Sequence, residues 1–190
     1  MDCLDEDMFI DWSQAPENGY ELDADGNAIK SELPEKDEET RRFDRYGSEY
    51  GYYLAPIDNV NGSYDFESRS LPFIEDKDSY HVYEEVGNLN DIVGDIKANT
   101  SLSESEKDSY LGKMTGEENV MSIKTDTSLT EDEQKEKIEN LARENSKIYC
   151  GKPSPFFGEK GGAEQVESTK LSIKDLCDIG TLKEVTNEYK

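Results

Sequence analysis

This sequence predicts an α+β fold: a small mixed or antiparallel sheet core into which an acidic helical segment is inserted. Three observations carry that prediction. Residues 41–89 alternate short aromatic runs with turn residues, the pattern of strands and loops. Residues 90–148 are polar and helix-favouring, with two helix-start signatures. Residues 149–190 return to a compact apolar pattern that ends on a helix stop. The 190 residues fit a single domain, 1–190, with 90–148 as a helical insertion and 1–8 as a flexible N-terminus.

Taken in order, residues 1–40 are acidic and turn-rich. Tyr20 to Glu32 predict a β-hairpin around Asp25-Gly26, because Asp-Gly accepts the positive φ of a tight turn. The same stretch partly fits a calcium loop, with Asp23, Asp25, Gly26 and Glu32 at the expected positions but Glu21 where the first Asp belongs. The hairpin is the better fit. The clearest strand is 79–86, in which Tyr80, Val82 and Glu84 face one way and His81, Tyr83 and Glu85 the other. In 90–148, Ser103 with Glu106 and Thr130 with Glu133 form capping boxes, each satisfying free amides at a helix start. Ile138, Leu141, Ala142 and Asn145 then share one helical face. Near the C-terminus, Leu171, Ile173, Leu176, Ile179, Leu182 and Val185 are the apolar positions, with Gly180 as the stop.

Charge excludes several classes of function. The net charge is -24, and residues 1–40 alone carry 14 acidic side chains against 2 basic ones. Binding a phosphate backbone needs clustered Lys and Arg, so nucleic acid is not the expected partner, nor is an anionic membrane surface. No apolar run approaches the roughly 20 residues of a membrane span. The acidic start, without a basic segment, does not read as a secretory signal. Cys3, Cys150 and Cys177 have no metal-type spacing, and no metal ligand set is expected. Mean hydropathy of -0.91 and a hydrophobic content of 33% predict that some segments stay solvated.

Against this background one stretch stands apart. Four of the five arginines, Arg41, Arg42, Arg45 and Arg69, fall within residues 41–69, and seven of the eleven tyrosines fall within 46–83. Arginine holds a phosphate with a fixed, permanently charged fork. Aromatic rings stack on flat heterocycles and attract cations. Together with the glycine pair Gly161-Gly162 they point to a ligand carrying phosphates and a ring, a nucleotide. Each element alone is more ordinary: strand tyrosines pack cores, a lone arginine pairs at a surface, and a Gly-Gly makes a turn.

The order of short blocks adds a further signal. Pro16, Asn18, Gly19 and Tyr20 come first, then Asp44-Arg45-Tyr46-Gly47, then Gly51-Tyr52-Tyr53-Leu54-Ala55-Pro56. Arg69-Ser70-Leu71-Pro72, Tyr80-His81-Val82-Tyr83-Glu84, and a Pro155 to Gln165 block containing Gly158, Gly161 and Gly162 complete the series. This order resembles the tuberculosis necrotizing toxin domain family, secreted NAD(P)+ glycohydrolases of bacterial polymorphic toxins and some fungi. The resemblance covers roughly residues 9–89 and 150–185. It implies a sheet loosely like that of ADP-ribosylating toxins, NAD+ or NADP+ as substrate, and no further cofactor. It also implies a secreted effector acting in the cytosol of a target cell, and a cognate immunity protein as partner. By position, Gln165 would be the catalytic glutamine, with His81 and Arg69 contributing to activity. Arg45, Tyr46 and Tyr53 would hold the dinucleotide beside the Gly161-Gly162 turn.

The chain departs from the family in the long acidic segment between His81 and Gln165, and in its extreme charge. The segment carries no block residue, so it is expected to lie outside the substrate site and to be replaceable by a short bridge; the alternative, since its ends flank two blocks, is a lid. Two other functions stay open. Gln165-x-Glu167 matches the carboxamide–carboxylate pair of an ADP-ribosyltransferase. The charge alone would suit a non-enzymatic acidic interaction or inhibitor protein docking on a basic partner.

Overall fold

A computed structural model describes residues 16–37, 39–71, 76–155 and 159–186. The expected N-terminal tail, 1–8, and Cys3 lie outside them. Among the described residues there are seven strands, β1 (Lys30–Glu32), β2 (Arg42–Tyr46), β3 (Tyr53–Pro56), β4 (Tyr80–Glu85), β5 (Ile148–Gly151), β6 (Gln165–Ser168) and β7 (Leu182–Glu184). There are five α-helices, α1 (Ile92–Ala98), α2 (Glu104–Thr115), α3 (Glu117–Lys124), α4 (Glu131–Asn145) and α5 (Ile173–Ile179). The strands form one sheet in the order β1-β5-β6-β3-β2-β4-β7, and every neighbouring pair is antiparallel. The α+β class with an antiparallel sheet is therefore present.

Successive side chains of a strand point to opposite faces, so the registers sort the sheet residues into two sets. On one face Phe43, Leu54, Tyr83, Cys150, Val166 and Leu182 are buried in a single cluster with Ile92, Val93, Ile96, Leu111, Met114, Ile138 and Ala142 of the helices. Leu171, Ile173, Leu176 and Ile179 join them around α5. Each fully buried aliphatic side chain of this kind contributes about 1.5–3 kcal/mol.

The helical segment therefore corrects one expectation. Its surface is polar, as the sequence says, but its apolar face forms the second layer of the core, so it is not a dispensable spacer. The capping boxes are formed: the Ser103 hydroxyl accepts from Glu106 N–H, and the Thr130 hydroxyl from Glu133 N–H, each at 3.3 Å. The reciprocal bonds from the cap amides to Glu106 and Glu133 measure 2.8 Å. Ile138 and Ala142 are buried, with Leu141 and Asn145 half-buried beside them. Helix α5 ends at Gly180, whose φ of 87° is the left-handed cap that glycine supplies without strain.

The Asp25-Gly26 turn also forms, with Leu22 bridging Ala28 and Gly26 at φ 87°. Asp23 Oδ1 accepts from the Asp25 and Asn27 amides, both at 2.9 Å, which holds its carboxyl below the ordinary range. That carboxylate thus serves its own turn. Among the described residues no three His, Cys, Asp or Glu side chains gather as a metal site, and no helix is long and apolar enough to cross a membrane.

Candidate functional site

Among the described residues no α-helix layer covers the second face of the sheet, which carries polar and aromatic side chains between small apolar ones. Asp44 pairs with Val82 and with Ala55, and Gln165 pairs with Gly151, which in turn pairs with Lys30. The Leu54–Val166 pairing puts Ala55 next to Gln165. A straight row therefore crosses the sheet: Val82, Asp44, Ala55, Gln165, Gly151, Lys30. Neighbouring strands stand about 4.8 Å apart. Between Gln165 and Asp44 there is only the methyl of Ala55, and between Gln165 and Lys30 only a glycine.

Arg69 covers the Asp44 end of this row. It comes from a 3-10 helix, Phe66–Arg69, that leaves Arg69 only 8% exposed. Its Nη1 donates to Asp44 Oδ1 at 2.5 Å, and its Nε and Nη2 donate to the Tyr64 carbonyl at 3.4 and 3.1 Å. The guanidinium lies 5.3 Å from the ring centre of Tyr46, which meets Phe66 edge-on at 5.1 Å and Tyr80 at 5.0 Å. The other oxygen of Asp44 accepts from the Tyr80 hydroxyl at 2.7 Å. Burial, reinforced by that carboxylate, pushes the Tyr80 phenol up to about 12.

The glycine turn lies against the Arg69 loop. Gly161 has φ 66°, and a side chain there would strike the Pro153 carbonyl at 2.7 Å. Gly162 has φ 88° with open space where its side chain would be. Gly162 N–H donates to the Pro153 carbonyl at 3.1 Å, and Ala163 N–H to the Ser68 carbonyl at 3.0 Å. Ser70 Oγ reaches the Ser154 carbonyl at 2.6 Å, and Lys160 pairs with Asp65 at 3.0 Å and Glu67 at 3.2 Å. The turn is thus fastened beside Arg69. The Arg69-Ser70 and Gly-Gly-x-x-Gln blocks, over 90 residues apart in the chain, meet here.

Two buried polar atoms in this region, Gln165 Nε2 and Ser154 Oγ, have no hydrogen-bond partner, and the buried Tyr20 hydroxyl has the Glu167 carboxylate beside it. Gln165 and Tyr20 flank Gly151, where a side chain would strike the Ile29 carbonyl and the Tyr20 ring, its first carbon falling 2.6 and 2.9 Å from them. Ser154 N–H bonds the Gly19 carbonyl at 2.8 Å. Unsatisfied buried polar groups are rare in folded proteins, and each calls for a partner such as an ordered water or a ligand.

Arg45 and His81 are not part of this face. They pair with each other across β2 and β4, one residue out of phase with Asp44 and Val82, and so project from the helix-covered side. Arg45 Nη1 donates to the Tyr53 carbonyl at 2.9 Å, and the guanidinium fills the space above Gly51. Burial lowers its pKa. His81 Nδ1 contacts Glu184 Oε1 at 2.8 Å. Tyr53 does lie on the open face, opposite Glu167, and its hydroxyl donates to Glu167 Oε1 at 3.3 Å. Of the expected site residues, then, Gln165, Arg69, Tyr46, Tyr53, Gly161 and Gly162 share the open face, and Arg45 and His81 lie behind it.

No protein-family model matches the chain, and no curated protein matches it.

The weight of the site rests on its own geometry. Arginine concentration proved a weaker signal than it looked, since three of the four clustered arginines pair with carboxylates of the sheet. Arg41 binds Glu85 at 2.5 Å, Arg42 binds Glu84 at 2.8 Å, and Arg69 binds Asp44. Asp44 is the residue whose role the sequence hid. It stands inside a block as an ordinary acid, in a strand that reads Arg-Phe-Asp-Arg-Tyr, where a single Asp beside two arginines gives no hint of burial. Tyr20 stands in the first ordered block, but its approach to Lys30 and Ser154 is hidden in the sequence, because it depends on a strand pairing far along the chain.

Proposed function

We propose that this chain is an NAD(P)+ glycohydrolase that cleaves the nicotinamide–ribose bond on the open face of the sheet. The observation that carries this reading is Gln165. Its Nε2 is buried and unpartnered, and it stands on a floor of Ala55 and Gly151 beside the Arg69–Asp44 wall and the Gly161-Gly162 turn.

The chemistry asks little of acid–base groups. In NAD+ the ring nitrogen is cationic, so the C1′–N bond breaks with its electron pair moving to nitrogen, and nicotinamide departs neutral. The ribose is left as an oxocarbenium ion, water adds at C1′, and one proton is lost to solvent. A retaining or inverting glycosidase needs two carboxylates, but a cationic leaving group removes the need for the acid. A neutral glutamine that orients a ribose hydroxyl or the water, fixed before the reaction starts, suits this step. Arg69 holds Asp44, Tyr46 and the 64–69 loop in place, and its remaining N–H groups and the open space above Gly162 suit the pyrophosphate. We read the sheet as related to that of ADP-ribosylating toxins, and the chain as an effector acting in a target-cell cytosol, held in check by a cognate immunity protein.

One observation favours a second reading. Gln165 and Glu167 are two residues apart on β6 and so share a face, the arrangement a protein ADP-ribosyltransferase would use. A single assay separates them. Incubation with NAD+ and chromatography of the products should give free nicotinamide with free ADP-ribose. ADP-ribose found on protein would favour transfer, and NAD+ left intact by micromolar protein over hours would end both readings.

A further inference from the structure

Glu167 is a buried carboxylate, 6% exposed, on the floor of the open face. The mechanism above does not use it. Lys30 Nζ donates to its Oε2 at 3.1 Å, and the Tyr53 hydroxyl to its Oε1 at 3.3 Å. The same ammonium lies 5.0 Å from the centre of the Tyr20 ring and 4.8 Å from that of Tyr149. Two aromatic faces within about 6 Å of one cation, with a carboxylate behind it, form the chemistry of a cation seat. The Tyr20 hydroxyl is buried beside the same carboxylate, and burial, then the Glu167 charge and a hydrogen bond to it, raise its pKa.

The occupant is held loosely. Lys30 belongs to a three-residue edge strand whose residues are all exposed, and its side chain is 26% exposed. A lysine on a flexible four-carbon stem can leave such a seat and be fully hydrated. Gln165 lies two residues from Glu167 on the same strand, about 7 Å along it at the usual rise. That is the span between the ribose and the far side of the pyridinium ring in one nicotinamide riboside unit.

We propose that Tyr20, Tyr53, Tyr149 and Glu167 form a seat for an organic cation, that Lys30 fills it in the free protein, and that the pyridinium ring of the dinucleotide takes it by displacing the Lys30 ammonium. The pyridinium assignment rests on the glycohydrolase reading; the seat itself does not. The leaving group would be recognised by its charge, and Lys30 would be a competitive plug. After cleavage the ring is neutral and its hold on the seat weakens, so Lys30 returns and product leaves.

The test uses N-methylnicotinamidium as the cationic probe and nicotinamide as its neutral counterpart. In the unmodified chain, NMR should show the Lys30 ε-methylene protons shifted upfield by the two rings. Adding the cation should move them back towards the free position, and nicotinamide should not. In calorimetry, Lys30→Met should bind the cation about 5- to 30-fold more tightly, the worth of one cation–π pair, with no change for nicotinamide. Glu167→Gln should erase the preference for the cation. Lys30 resonances that ignore the cation would overturn the proposal even if a variant failed to fold. Equal affinity of Lys30→Met for the two probes would overturn it independently. If NAD+ stays intact while the cation still displaces Lys30, the glycohydrolase reading fails and the seat stands. If NAD+ is cleaved and Lys30 does not move, only the seat fails.

Discussion

Phe43 and Asp44 are neighbours in β2, and both are almost fully buried, at 1% and 0% exposure. Phe43 enters an apolar cluster with the helices. Asp44 faces the other way and is enclosed by Arg69 and Tyr80. The same contrast runs across the sheet, between Leu54 and Tyr53, and between Val166 and its neighbours Gln165 and Glu167. One face is closed by dispersion and the hydrophobic effect, which are indifferent to small misplacements of polar groups. The other is closed by a few directional bonds around unsatisfied polar atoms. The first stabilises the molecule, and the second is where the proposed site lies.

The largest effect that tests this contrast is removal of the helical layer. Replacing 95–147 by a Gly/Ser bridge should abolish the fold, because Ile96, Leu111, Met114, Ile138 and Ala142 would be lost from the core. Circular dichroism of the deletion should show no cooperative melting. A deletion that still melts cooperatively would show that the sheet carries its own core, and would restore the insertion to a spacer.

Next comes the polar wall. Asp44→Ala leaves the Arg69 guanidinium buried without its carboxylate, and breaking a buried pair from one side costs about 3–5 kcal/mol. Urea denaturation should reveal that loss with little change in helical signal. A loss under about 1 kcal/mol would mean that water reaches Arg69 freely, and that the open face is far wetter than its geometry.

Much of this architecture is legible in the chain and some is not, for physical reasons. The alternation of Tyr80 to Glu85, the Ser103 and Thr130 caps, the Asp25-Gly26 turn and the Gly180 stop are local, set by φ preferences and bonds a few residues long. The ordered blocks also single out Gln165, Arg69 and the glycine turn, which the fold brings to one face of the sheet. What the chain hides is partnership across distance. Arg45 and Asp44 must take opposite faces of a strand, but nothing in 41–46 says which of them goes to the helix-covered side. Nothing near Lys30 says that Glu167, in a strand 137 residues away, is its partner. The helical segment misled because its few apolar positions are diluted by charge, although burying one stripe is enough to close a sheet.

Gln165→Ala should leave stability within about 1 kcal/mol, since Nε2 makes no bond in the folded protein. It should lower kcat for NAD+ hydrolysis by about 10²- to 10³-fold, the scale of one preorganised polar group. Near-normal kcat in a folded variant would move the catalytic role to Glu167. Arg45→Ala sharpens the contrast from the other side. Its loss strands the Tyr53 carbonyl and should cost about 1–2 kcal/mol of stability, with KM unchanged because the residue lies behind the sheet. A raised KM at unchanged stability would bring the dinucleotide around to that face.

The smallest effect concerns how the glycine turn is fastened to the open face. Asp65 caps the Phe66–Arg69 turn: it accepts from the Ser68 hydroxyl and amide, and then from Lys160, which tethers 159–163. These bonds, Ser68 first, pull its carboxyl down to about 2 from an ordinary 3.8. A depressed acid contributes its stability in full above its unfolded pKa, and that contribution is lost as pH falls through the folded value. The clasp should therefore hold at pH 4 and release only near pH 2. Because Asp65 is exposed, the effect is local and screened by salt, leaving the helix-covered core unaffected. Following the Ser68 amide shift by NMR against pH should give a midpoint near 2, with Ile96 amide protection constant over the same range. A midpoint near 4 would show that the clasp is open in solution, and that the wall beside Gln165 forms only when a ligand draws the two loops together.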